Sequence, residues 1–148
     1  MITFSASFNY SLGADLYNYQ RSIIESGSYF YNQTTSMLAR WTHDGQVTDV
    51  PRASFLDEMG NSRFSDRWIE DGSYLKLKNV TLSYRIPVQS AYLQGITLWA
   101  AGNNLFTITK YLGSDPEFAQ SNAVMGMGID RGLLSPGRSF SLGVKINL

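Results

Sequence analysis

The chain has 148 residues, twelve Lys+Arg against twelve Asp+Glu, one histidine and no cysteine. A formal net charge of zero argues against a nucleic-acid partner, which calls for a basic surplus, and the missing thiols exclude disulfide scaffolds, thiolate zinc sites and cysteine nucleophiles. Charged residues reach only 16% and aromatics 14%, beside 42 Ser, Thr, Asn and Gln, a balance that suits β-structure with a wet but uncharged face.

Residues 2–12 carry the clearest pattern. Ile2, Phe4, Ala6, Phe8, Tyr10 and Leu12 alternate with Thr3, Ser5, Ser7, Asn9 and Ser11, which predicts a strand with one apolar and one polar face. This start has neither the basic end nor the continuous apolar core of a signal peptide. Residues 13–72 form a long connection, with a short helix predicted over 14–26, where Leu16, Gln20 and Ile23–Ile24 fall at helical spacing. A second strand is predicted over 73–86. Its parity changes from Leu75 and Leu77 to Val80, Leu82 and Tyr84, so a β-bulge is expected near Lys78–Asn79. A short connection after Pro87 leads to a third strand over 95–106, with a weaker polarity split. Residues 107–137 form a second long connection, punctuated by glycine and proline. The fourth strand, 138–148, alternates Phe140, Leu142, Val144, Ile146 and Leu148 with Ser141, Gly143, Lys145 and Asn147.

Long and short connections therefore alternate, as in outer-membrane barrels with long extracellular loops and short periplasmic turns. An eleven-residue strand spans roughly 36 Å, and a tilt near 45° leaves roughly 25 Å of height, the depth of a barrel's apolar band. No apolar run approaches the roughly 18 residues of a membrane helix. The pattern predicts an all-β, antiparallel fold: the last four strands of a large transmembrane β-barrel with two long extracellular loops. Alternation alone also fits a soluble β-domain that binds carbohydrate through its long loops.

Residues 65–84 hold the run EDGSYLKLKNVTLSY, and NNLFTITKYLGSDPE follows over 103–117. Asn32-Gln33, Arg40-Trp41 and Asp49-Val50-Pro51-Arg52 precede them in order. In this combination the chain resembles the C-terminal end of the SusC/RagA family of TonB-linked outer-membrane transporters of Bacteroidetes. The resemblance implies a barrel of about 22 strands that imports glycans or peptides across the outer membrane, with four strands in this chain. The implied partners are the remainder of the barrel and its plug, a SusD-like surface lipoprotein, TonB acting through an N-terminal part outside the chain, and outer-membrane lipid. No cofactor and no enzymatic activity are expected.

Four residues are candidates for contact with an imported ligand. Trp41 and Trp68 lie in the first long connection and have the flat faces that stack on sugar rings. Asp115 and Glu117 flank Pro116 in the second; with Asp130 they supply the oxygen donors a Ca²⁺ site needs, but without the ligand series of an EF-hand. The bland alternative is an Asp-Pro turn with solvated carboxylates. His43 has no nucleophile or second ligand spaced with it. Neither Asp57/Glu58 nor Glu70/Asp71 can be read as a glycosidase pair, because adjacency in sequence does not fix a carboxyl separation. Trp99, inside a strand, is expected in the barrel wall or at an interface girdle.

Overall fold

A computed structural model describes residues 1–88, 95–117 and 126–147. In chain order its elements are β1 (Ile2–Ser11), β2 (Asp15–Asn18), α1 (Tyr19–Ile24), β3 (Ile69–Asp71), β4 (Tyr74–Ile86), β5 (Gly95–Thr109), β6 (Ile129–Asp130) and β7 (Ser139–Asn147). They belong to two compact units. The connection expected after Pro87 and the last position, Leu148, lie outside or partly outside the described residues.

The first unit is a four-stranded antiparallel sheet in the order β1-β4-β5-β7. Its registers line like with like. Phe4 pairs Leu82, Leu82 pairs Ala100, and Ala100 pairs Leu142. One step along, Ser5, Thr81, Ala101 and Ser141 form the next row. A period-two strand places these rows on opposite faces. β4 and β5 run 13 and 15 residues, well beyond the five or six usual in soluble sheets.

The predicted bulge is present. The β1–β4 register shifts between Ser7 and Phe8, and the β4–β5 register shifts between Leu77 and Asn79. Opposite it, Asn104 takes a left-handed backbone with φ 52, a conformation asparagine tolerates better than most residues. The parity change lies in β4, where both registers pass over Lys78. β5 keeps one parity, so Phe106 and Ile108 stay on the apolar face opposite Leu77 and Leu75, and the strand continues to Thr109 instead of stopping at 106. Ser11 pairs Tyr74, which pairs Thr109, so both long connections leave from the same end of the sheet.

The two connections are not open loops. Residues Ala14–Gly72 and Tyr111–Leu134 make up the second unit. β2 pairs antiparallel with β3 and parallel with β6. The predicted helix contracts to α1 because Asp15–Asn18 is drawn into this small sheet. Asn18 then caps the helix, its side-chain oxygen accepting from the Arg21 N–H at 3.0 Å. Leu16, Met37, Trp68 and Tyr111 form the buried apolar centre. No helix among the described residues is long and apolar enough to cross a membrane.

Candidate functional site: an apolar sheet face and a loop-unit cavity

The sheet presents its apolar rows to the surroundings. Phe4 is 66% exposed, Phe140 77%, Leu142 84% and Val144 62%. An uncovered apolar face of this extent marks a surface that meets hydrocarbon or another apolar body. The opposite face is polar and hydrogen-bonded, with Arg85, Thr97 and Lys145 in one of its rows: the Asn79 amide donates to the Asn103 oxygen at 2.8 Å, and the Asn103 amide donates to the Ser139 hydroxyl oxygen at 3.1 Å. Trp99 stands on this polar face, in the row of Ser83 and Gly143, rather than among the apolar rows.

In the loop unit, α1 and β3 bring three charges together. Arg21 Nε donates to Glu25 at 2.8 Å, and its Nη1 donates to Glu70 at 2.8 Å. Glu70 also accepts from the Asn18 amide at 3.2 Å and from the Leu112 backbone N–H at 2.9 Å. One carboxylate thus joins both long connections. Burial alone would lower the Arg21 guanidinium, but the bonds to Glu70 and Glu25 outweigh it and hold the group above its ordinary pKa. The guanidinium carbons of Arg21 and Arg67 lie 5.6 and 4.7 Å from the Trp68 ring centre, and burial lowers Arg67.

Asp130 anchors the other side. Its carboxylate accepts from the Tyr111 hydroxyl at 2.6 Å and from the Gly132 N–H at 2.7 Å. Burial first, and then this bond to Asp130, raise the Tyr111 phenol well above its ordinary pKa. Residues of both connections, among them Arg21, Glu25, Ser114, Asp130 and Leu133, line a cavity of about 300 Å³.

None of the four candidates from the sequence is among the residues that line this cavity. Trp41 is half-buried, and its backbone N–H donates to Val50. Trp68 is 0% exposed, and its indole N–H donates to the Arg63 carbonyl at 3.2 Å. A ring covered by two guanidinium groups offers no face to a sugar, so the stacking reading of Trp68 is corrected to a core role. Asp115 is buried and accepts from the Glu117 N–H at 3.0 Å, which closes a turn around Pro116. Glu117 is half-buried. Asp130 is engaged elsewhere, and no cluster of three metal-ligating side chains occurs among the described residues. His43 is exposed, with Nδ1 3.0 Å from the Thr42 hydroxyl. Of the groups the sequence reading left out, Arg21 and Glu25 carried a visible signal, a charge pair at helical i,i+4 spacing. Tyr111 carried none, and Asp130, read as an oxygen donor beside Asp115 and Glu117, is instead bonded by Tyr111 and Gly132.

No protein-family profile matches the sequence. Among curated proteins, TonB-dependent receptor P3 of Formosa agariphila is 33% identical over 147 residues, covering 94% of this chain and 14% of that protein. TonB-dependent receptor P26 of the same organism is 26% identical over 152 residues, covering 98% and 15%. Among solved structures, the RagAB peptide importer in its closed-closed state matches with TM-score 0.79 and 28% identity, over 98% of this chain and 15% of that one. Its open-open state matches with TM-score 0.81 and 26% identity, over 99% and 16%. The chain thus spans about 13–16% of the length of the relatives it matches.

Proposed function

We propose, from the premise that this chain belongs to the SusC/RagA-type TonB-dependent receptors of the outer membrane, that it forms the last four strands of the barrel wall in an importer of glycans or peptides. In this reading the apolar face of β1, β4, β5 and β7 meets lipid, the polar face lines the lumen, and the loop unit lies outside the cell. The observation that carries it is the row of apolar residues crossing all four strands from Phe4 to Leu142, exposed on strands long enough to cross a bilayer. The remainder of the barrel, its plug, a SusD-like lipoprotein over the loops, and TonB are the proposed partners. The RagAB neighbours, described as a peptide importer, support peptides beside glycans as cargo.

The test uses whole cells carrying the full-length receptor with an epitope tag beside Gln46. Antibody should label the tag without permeabilisation, and uptake of labelled oligopeptide or oligosaccharide should require TonB. A tag labelled only after permeabilisation would overturn the topology. TonB-independent uptake of both cargo classes would overturn the importer reading.

A further inference from the structure

The loop-unit cavity holds a charge that no cation among the described residues is seen to balance. Asp130 is 3% exposed. Both of its hydrogen-bond donors, the Tyr111 hydroxyl and the Gly132 N–H, are neutral. Arg21 forms ion pairs with Glu25 and Glu70, and neither pair reaches Asp130. Buried carboxylates are ordinarily paired with a cation. Here the carboxylate lines a cavity of about 300 Å³, at the lower end of the range for small-molecule sites.

The rest of the wall narrows the chemistry. Arg21 and Glu25 line the same cavity and cancel one another, so Asp130 leaves the lining acidic. Leu112, Leu133 and Leu134 supply apolar walls, with 70%, 42% and 92% of their surface exposed. A bare divalent cation needs several oxygen ligands, and no group of three metal-ligating side chains occurs among the described residues. A guest with one positive head and an aliphatic stem satisfies both the carboxylate and the leucines. An ammonium, with three donors on a compact head, can also use the lone pairs that Tyr111 and Gly132 leave on Asp130.

We infer that this cavity is a subsite for a primary ammonium group on an aliphatic stem, with Asp130 as its counter-ion; the inference rests on the importer reading for where such a guest comes from. A lysine side chain and a free N-terminus share this chemistry.

The experiment titrates the detergent-purified full-length receptor with n-hexylammonium chloride and, separately, with n-hexanol, by calorimetry. Hexylammonium should bind saturably and at least tenfold tighter than hexanol. Asp130→Asn should weaken it at least tenfold. Because Asp130 also holds Tyr111, Leu133→Lys provides a second variant at an exposed position: its tethered ammonium should compete and weaken hexylammonium by a similar factor, while Leu133→Met should not. Equal binding of hexylammonium and hexanol would overturn the inference, as would wild-type affinity in both Asp130→Asn and Leu133→Lys. A tripeptide with a central lysine and an acetylated N-terminus, compared with a lysine-free tripeptide with a free N-terminus, assigns the source of the ammonium; failure of both to bind would also overturn the inference. Binding in detergent requires neither TonB nor transport. A receptor that imports but does not bind ammonium defeats only the subsite, and one that binds but does not import defeats only the importer reading.

Discussion

Replacing Glu70 with alanine should loosen the loop unit while sparing the sheet. The side chain accepts from Arg21, Asn18 and the Leu112 N–H. Arg21 keeps Glu25 as a second partner, so it is not left as a lone buried charge. The loss at Arg21 is one charge-assisted bond, about 1.5–3 kcal/mol. The buried Asn18 amide loses its acceptor, at about 1–3 kcal/mol if no water replaces it. Leu112 is exposed, and water can take over its N–H. The two terms sum to about 2.5–6 kcal/mol, a range that brackets the cost of breaking a buried pair. Amide hydrogen exchange in the full-length receptor, resolved by mass spectrometry, reads this locally. At about 1.4 kcal/mol per factor of ten, exchange across 15–24 and 69–72 should accelerate about a hundredfold or more. Exchange in β4 and β5 should not change. An acceleration below threefold in the loop unit would refute the argument that Glu70 ties the two connections together. Equal acceleration in the strands would refute the separation of the two units.

Two further outcomes follow from particular contacts. The folded-state pKa of Tyr111 lies above its unfolded value of about 10, through burial first and then its bond to Asp130. A raised pKa gives stability that is complete below the unfolded pKa and is lost as pH rises past it, so resistance of the loop unit to protease should fall between about pH 10 and 11, and Tyr111→Phe should flatten that slope. A Cβ at Gly143 would collide with the Trp99 ring, so Gly143→Val should displace the indole, shift its fluorescence and cost roughly 1–3 kcal/mol by overpacking in urea unfolding of the receptor; an unshifted spectrum would contradict the placement of Trp99 over that glycine.

The sheet was legible because a half-exposed strand writes its two faces into every second residue. Ile2 to Tyr10 and Phe140 to Ile146 follow this without exception. The bulge was legible as a change of parity at Lys78. The far end of β5 was not, and the strand was read three residues too short. The loop unit was hidden for a different reason. β2, β3 and β6 have four, three and two residues, too few to establish a period, and the parallel pairing of Tyr17 with Ile129 joins positions far apart in sequence. The ligand candidates suffered similarly. Trp68 was chosen for its ring chemistry, but burial decides whether a ring can be reached, and burial here comes from Arg21 and Arg67, packed against it by tertiary structure. Asp130 was read with Asp115 and Glu117 as an oxygen donor, whereas the fold gives it two neutral donors and an open cavity.

The most direct test of the membrane assignment is a pair of arginines one residue apart on β7, at Leu142 and at Ser141, each in the full-length receptor refolded into bilayers. Leu142 lies in the apolar row of Phe4, Leu82 and Ala100, and Ser141 in the polar row of Ser5, Thr81 and Ala101. Leu142→Arg should lower the unfolding free energy in urea by roughly 2–4 kcal/mol, the cost of a charge near the bilayer midplane. Ser141→Arg should change it by less than about 1 kcal/mol, with heat-modifiable migration retained in both. Equal effects, or the larger loss at Ser141, would contradict the assignment of the apolar face to lipid.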